Sequence, residues 1–332
     1  MAGQLWSIDV IGGFMYSDEL SDILRMELLP AVKFRQFCDA KDATEKGLNR
    51  GDEFSWNVYS RLKKKGRRIQ EDEKMPETKY TITQQRLVID EYGNSVPYTG
   101  RLDNLSKQPV TDVIHKVLKI DAKETLDAAA HAQFNLTPLR VAPVSGTSET
   151  AVVLVEDSGA TLPTNDVALR KAHFRAIVLA MKERNIPTYA NDDYYCLGWP
   201  STFITFKNDL EAIAQYIETG YRQIVNGEIG RYEGTRVCEQ THIPKGGAVD
   251  STDWDYETSD EWNNGKSDWA FFLGADTVAE AIVIPEEIRG KIPTDMGRSR
   301  GIGWYYLGGF GIVHGPNGDA KNARIVKWDS AA

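Results

Sequence analysis

Apolar positions along the chain follow two periods, and the switches between them mark its elements. Phe54, Trp56 and Val58 alternate with Glu53, Ser55 and Asn57, the two-residue period of a strand. Tyr80, Ile82 and then Leu87-Val88-Ile89 form a return that ends at Tyr92-Gly93-Asn94. Together they predict a long hairpin within 52–100. Upstream, Leu20, Ile23, Leu24 and Leu28 recur at helical spacing behind Ser17-Asp18-Glu19, a cap and two acids suited to a first turn, until Pro30 interrupts them. The longest helical pattern lies within 104–136. Val110, Val113, Ile114, Val117 and Leu118 lead into Leu126, Ala128, Ala129, Ala130 and Ala132, with Pro109 suited to the first turn and Pro138 closing the run. About 25 residues at 1.5 Å each span roughly 37 Å.

The second half mixes the two periods. Ala151-Val152-Val153-Leu154-Val155 reads as a strand. Thr164 or Asn165 is expected to cap a helix running through Val167, Phe174, Ile177, Val178 and Met181, ended by Asn185 and Pro187. Tyr194-Tyr195-Cys196-Leu197 predicts a short strand. Asn208-Asp209-Leu210 predicts the start of another helix, with Ile213 and Ile217. Residues 235–238, Trp269-Ala270-Phe271-Phe272-Leu273 and Ile325-Val326-Lys327-Trp328 read as strands, and Asp276 to Ala281 as a short helix. Gly301, Gly303, Trp304, Tyr305, Tyr306, Gly308, Gly309, Phe310 and Gly311 read as strands with tight turns and close backbone approach. The class is α+β.

Composition adds bounds. The 332 residues suffice for two domains or one elaborate one, and 41% hydrophobic with 26% charged is ordinary for a globular chain, which excludes wholesale disorder. No apolar run reaches the ~18 residues of a membrane span. Cys38, Cys196 and Cys238 stand far apart in odd number, which argues for a reducing compartment. Met1 to Trp6 lacks the basic and apolar blocks of a signal peptide, and Ala2 stands where N-myristoylation needs glycine. A formal net charge of −9 disfavours a dedicated nucleic-acid binder.

That total hides a segregation. Arg61, Lys63, Lys64, Lys65, Arg67 and Arg68 crowd the hairpin tip, followed by Glu71, Asp72 and Glu73. Asp250, Asp253, Asp255, Glu257, Asp260 and Glu261, with Trp254, Tyr256 and Trp262, crowd a polar insertion at about 244–268. A charged tip has little to bury, so it projects into solvent or onto a partner. The acidic run lacks the central glycine of a calcium loop.

Catalytic patterns mostly fail. There is no phosphate loop, His-Glu-x-x-His or Cys-x-x-Cys, and Gly301-x-Gly303 does not continue as a dinucleotide fingerprint. Gly297-Arg298-Ser299-Arg300-Gly301 has the form of a nucleophile elbow, but it lacks the preceding apolar strand and following helix that would expose Ser299 as a nucleophile. His115, His131 and His173 fall within helical patterns, and His242 and His314 in loops or strand ends.

The order of elements, an arm, a charged hairpin, a long helix and a mixed domain closing on strands, resembles the major capsid proteins of tailed bacteriophages of the Hong Kong phage type. A narrower resemblance, to coat proteins related to that of the podophage N-four, is carried by four stretches. They are Asn226-Gly227-Glu228-Ile229-Gly230-Arg231-Tyr232-Glu233-Gly234-Thr235-Arg236-Val237-Cys238-Glu239, Gln85-Arg86-Leu87-Val88-Ile89-Asp90-Glu91-Tyr92-Gly93, Leu273-Gly274-Ala275-Asp276-Thr277-Val278 and Gly303-Trp304-Tyr305-Tyr306. The acidic insertion and the basic tip do not map onto the family pattern.

The resemblance implies an N-terminal arm at 1–50, a hairpin called the E-loop with the first P-domain strands at 51–100, the P-domain spine helix and a strand at 101–150, and an A-domain with returning P-domain strands at 151–332. It implies no catalytic centre, cofactor or metal. Expected partners are other copies in hexamers and pentamers, a scaffolding protein, a portal, a cement protein and, nonspecifically, packaged double-stranded DNA. The location would be a virion capsid assembled in the bacterial cytoplasm, with no membrane. The basic tip is the expected intersubunit contact, and the acidic insertion is its candidate docking patch. The competing readings are a hydrolase using Ser299 or the acidic aromatic loop on an ester or carbohydrate, and a protein that decorates a shell.

Overall fold

The structure, a computed structural model, describes residues 29, 31–42, 53–59, 62, 66–71, 74–156, 167–190, 192–214, 231–243, 269–315 and 320–330. The expected helix at 17–28 and the acidic insertion lie outside them.

Two sheets and one long helix make the body. The first sheet has the order β1-β11-β12-β4, built from Cys38–Asp42 (β1), Asp90–Thr99 (β4), Val278–Gly290 (β11) and Ser299–Ile312 (β12). β1 runs parallel to β11; the other pairs are antiparallel. The second sheet has seven strands. They are Leu139–Pro143 (β5), Val152–Val155 (β6), Tyr194–Gly198 (β7), Arg231–Tyr232 (β8), Thr235–Glu239 (β9), Ala270–Leu273 (β10) and Ile325–Trp328 (β13), in the order β6-β5-β13-β10-β7-β9-β8. β10, central to this sheet, is buried at all four positions, the unbroken apolar signature of a strand covered on both faces.

A short helix, Gly100–Leu105 (α1), precedes the spine, Val110–Asn135 (α2). The 26 residues of α2 make it about 39 Å long. Its buried stripe, Ile114, Leu118, Ala122, Leu126, Ala129 and Phe134, belongs to one apolar cluster. That cluster runs from Tyr98, Ile302 and Tyr306 on the first sheet to Phe271 and Ile325 on the second. The two sheets therefore share a core through α2 and are lobes of one fold. A second cluster packs Phe174, Ile177, Val178 and Met181 of Lys171–Glu183 (α3) against Phe272 and Trp328, with Phe174 stacked 4.7 Å from Phe206 of Ile204–Ala214 (α4).

Four expectations change. Asp276 to Ala281 is not a helix. Asp276 turns the chain at φ 58°, and Val278 opens β11, held by ladders to β1 and β12 on its two edges. The glycine-rich end is one 14-residue strand rather than several joined by turns. α3 starts at Lys171, after residues 167–170 that are in no helix, because His173 caps it: its Nδ1 accepts from the N–H of Arg170, which is extended, at 3.3 Å. Thr164 and Asn165 lie outside the described residues. α4 starts at Ile204, directly after the 3-10 turn Pro200–Phe203. Asp209, expected near its start, instead accepts from the Lys171 N–H at 3.2 Å, at the first turn of α3.

Candidate intersubunit surfaces

The hairpin predicted within 52–100 is present over 53–88, while Tyr92-Gly93-Asn94, the expected end of its return, belongs to β4 of the first sheet. Glu53–Tyr59 (β2) pairs antiparallel with Ile82–Val88 (β3), from Glu53 opposite Val88 to Tyr59 opposite Ile82. Among the described residues its root is the most closely packed part, and Val58 and Tyr59 line a cavity with residues 184–187 and 321–324 of the body. Leu87 is buried with Ala281 and Val283 in a small cluster that Phe54, Trp56 and Ile89 border. The root lies over two glycines of β12. A Cβ on Gly309 would sit 2.0 Å from the Val88 carbonyl oxygen, and one on Gly311 would sit 2.6 Å from Leu87 Cβ and 3.1 Å from the Trp56 ring. The Trp56 indole N–H donates to the Val313 carbonyl at 3.4 Å. Glycine here permits close backbone approach, the second of the two roles the sequence proposed for it.

Beyond the root the hairpin leaves apolar side chains uncovered. Tyr59 is 78% exposed and Met75 73%, with Tyr80 and Ile82 also exposed. Arg67 and Arg68 of the basic tip are exposed. Arg61, Lys63, Lys64 and Lys65 lie outside the described residues, as do all six acids of the candidate docking patch, Asp250, Asp253, Asp255, Glu257, Asp260 and Glu261. The proposed tip-to-patch contact therefore has no geometry here.

A second exposed end was missed by the sequence reading. β11 and β12 run together as a ribbon, with β12 still paired to β4 as far as Ser299, and are joined by a turn in which Asp295, Met296 and Gly297 all take left-handed conformations. Ile292 is 84% exposed, and Ile288 and Met296 are exposed beside it. The Arg289 guanidinium covers the Tyr305 ring at 3.8 Å. Gly290 and Pro293 flanking Lys291-Ile292 were the available signal. This ribbon also disposes of the elbow pattern. Ser299 follows the turn and opens a strand, with no helix after it, and its hydroxyl accepts from Lys291 Nζ at 3.4 Å. That is not the strained strand-to-helix turn a serine nucleophile requires.

Buried charges hold the segment 31–42 to the body. The Arg35 guanidinium meets Glu280, 3% exposed, at 2.7 Å and also pairs with Glu286, while the Tyr306 hydroxyl donates to Glu280 at 2.9 Å. Burial alone would lower the Arg35 pKa; its bonds to the two carboxylates outweigh burial and hold it above the usual arginine value. Burial, and then the same carboxylates, push the Tyr306 hydroxyl well above its ordinary range. The Arg35 backbone N–H donates to Asp127 of α2 at 2.9 Å, and the other Asp127 oxygen lies 3.1 Å from His242 Nδ1. Asp121 accepts from the Trp304 indole at 2.6 Å. His131, fully buried between Phe34, Phe271 and Trp269, is pushed down to about 3 by burial and by the nearby Lys327 and His242.

Among the described residues no group of His, Cys, Asp or Glu is arranged to hold a metal ion, and no helix is long and apolar enough to cross a membrane. All three cysteines are free thiols.

No protein-family model and no curated protein match the sequence. Solved structures do. A chain of the capsid of cyanophage P-SCSP1u aligns over 96% of this chain and 94% of its own, with a TM-score of 0.67 at 11% identity. A chain of the cyanophage Pam1 capsid aligns over 98% and 99%, at 0.65 and 12%. One from the head of Helicobacter pylori bacteriophage KHP40 aligns over 95% of each, at 0.65 and 13%. The chain has the α+β fold of these phage capsid chains, the Hong Kong phage type, over nearly its whole length.

Proposed function

We propose that this chain is the major capsid protein of a tailed double-stranded DNA bacteriophage, a structural subunit with no catalytic centre that assembles into the hexamers and pentamers of an icosahedral shell. One observation carries the reading: the likeness to phage capsid chains covers nearly all of both partners, so neither side has a large domain left over for another task. Physical sense supports it. A closed shell needs each subunit to present patches complementary to its neighbours. The hairpin and the ribbon of β11 and β12 expose apolar side chains of the kind such contacts bury.

In this reading β2 and β3 are the E-loop, α2 and the four-stranded sheet the P-domain, the seven-stranded sheet the A-domain, and residues 1–50 the N-terminal arm. The sequence stretches quoted above support a subunit of the podophage N-four kind. Of the first stretch, residues 231–239 form a tight hairpin, β8 to β9, turning at Glu233 and Gly234 with φ 50° and 78°. Arg61, Lys63, Lys64, Lys65, Arg67 and Arg68 would engage a neighbour, with the insertion from Asp250 to Glu261 as the docking patch. A scaffolding protein, a portal, a cement protein and nonspecific contact with the packaged genome complete the expected partners, with assembly in the bacterial cytoplasm.

Expression of the chain alone and with the scaffolding protein of its phage tests the reading. Negative-stain images should show megadalton shells or hexameric rings. A monomer at the 37.2 kDa chain mass under both conditions would overturn it.

A further inference from the structure

α2 does not bury all of its apolar surface. Two adjoining cavities run along it, and Arg35 and Lys123 line both. The first, about 470 Å³, is lined by Val32, Cys38, Ile120, Glu280 and Leu29. The second, about 500 Å³, continues past Leu118, Ala122, Ile288 and Trp304 to His115. From Lys123 to His115 this groove follows eight residues of helix, about 12 Å.

Its charge is mainly basic, with Glu124 also lining the first cavity. Lys116, Lys119 and Lys123 recur at i, i+3 and i+7 on the exposed face of α2. Among the described residues none of the three has an ion pair. The acids opposite are already engaged: Glu280 and Glu286 by Arg35, and Glu287 by Arg289. A ligand for this groove would be apolar on one side and net acidic.

The chain reaches the groove with such a segment. Leu29, 55% exposed, lines the first cavity. Immediately upstream, residues 17–28 carry Leu20, Ile23, Leu24 and Leu28 at helical spacing, with Asp18, Glu19, Asp22 and Glu27 against a single Arg25. As a helix those twelve residues would be about 18 Å long, enough to fill the groove. A tether this short gives the segment of the same chain a large advantage in local concentration over any free competitor.

We propose that residues 17–28 dock as an amphipathic helix into the groove of their own chain. Leu20, Ile23, Leu24 and Leu28 would face Leu118, Ala122 and Trp304, and Glu19 and Glu27, on the edge of that face, would meet the lysines, with Asp18 and Asp22 turned to solvent. The arm would then be fixed along the spine helix by its own subunit.

The test is a water-soluble carbodiimide, which joins carboxylates to contacting lysines. It is applied to the full-length protein prepared as a 1:1 mixture of unlabelled and ¹⁵N-labelled chains. Peptides joining Glu19 or Glu27 to Lys119 or Lys123, each of one isotope only, are the expected result. Mixed-isotope peptides would show a second copy in the groove and overturn the proposal, as would the absence of these cross-links. Hydrogen exchange gives an independent reading. The amides of residues 17–28 should exchange at least about tenfold slower than an unstructured peptide. The Lys119→Glu/Lys123→Glu variant should lose that protection, and adding Glu19→Lys/Glu27→Lys should restore it. Unprotected amides in the unmodified protein, or protection indifferent to these reversals, would also overturn it.

Discussion

Replacing Gly309 with alanine should lift the hairpin off the body. The added Cβ would lie 2.0 Å from the Val88 carbonyl oxygen, which belongs to the backbone and cannot rotate aside. Restoring a 3 Å approach requires a movement of about 1 Å, in a region where Leu87 is 3% exposed. If the hairpin pivots about the neighbouring strand, roughly 4.8 Å away, that lift is a tilt of about 12°. Carried over seven residues at about 3.3 Å each, it displaces the distal end of β2 and β3 by about 5 Å. Overpacking of this kind costs about 1–3 kcal/mol. Gly290→Ala is the matched control, because a Cβ there meets nothing within 4 Å. Thermal unfolding of the soluble subunit should show Gly309→Ala destabilised and Gly290→Ala unchanged. Sedimentation of assembly reactions should show fewer shells for Gly309→Ala at temperatures where the subunit remains folded, since a 5 Å error at the hairpin misaligns a neighbour's contact. Equal melting temperatures and equal shell yields for the two variants would refute the account of the glycine seat.

Three further outcomes are expected. Arg35→Ala should cost about 3 kcal/mol in urea unfolding, because Glu280 remains buried without its cation; Arg35→Met/Glu280→Leu should recover most of the loss by removing both charges. Acid should weaken the fold through His131. Its value in the folded protein, about 3, lies below the ~6.5 of an unfolded histidine, so its contribution is present above pH 6.5 and is lost as the pH falls toward 3. By pH 5 that loss is about 2 kcal/mol, and His131→Leu should flatten the stability profile between pH 7 and 5 by that amount in urea titrations. Reversing Lys63, Lys64 and Lys65 to glutamate should leave the circular dichroism and melting of the subunit unchanged while reducing shells seen by negative stain; normal shells would remove the tip from the contact.

Legibility in the sequence followed the physics of each element. The hairpin, α2 and β10 were readable because one local pattern decides each: alternation in Phe54-x-Trp56-x-Val58, helical recurrence from Val110 to Phe134, and an unbroken apolar run in Ala270–Leu273. β11 was not readable. Thr277-Val278-Ala279-Glu280 has the form of a capping box, and alanines at 279 and 281 favour a helix. Glu280 is instead a buried anion, paired with an arginine 245 positions away, and only the assembled sheet reveals that partner. Asp209 misled for the same reason, since its carboxylate serves α3 rather than its own helix. The glycines of β12 read partly as turns because composition cannot distinguish a glycine that bends the chain from one that admits a second chain segment. The candidate site was legible as charge and not as contact, since four of the six basic tip residues and all six acids lie outside the described residues.

The distribution of charge then acquires a physical logic that the net −9 does not suggest. Inside, carboxylates hold together segments remote in sequence: Glu280 to Arg35, Asp127 to His242, and Asp329 to Arg140 at 3.0 Å. Each is costly to bury alone and tolerable only when its partner arrives. These pairs therefore favour the one closure of arm, helix and sheets in which all of them are matched, and they penalise partial assemblies. Outside, Lys116, Lys119 and Lys123 stand exposed along the groove on α2, and six cations are concentrated in sequence between Arg61 and Arg68. Cationic surfaces of this kind recognise acidic segments by their charge. The first such segment within reach of α2 is its own residues 17–28. Beyond Glu71, Asp72 and Glu73 beside it, the acidic segment that the hairpin tip would meet in a shell belongs to a neighbour.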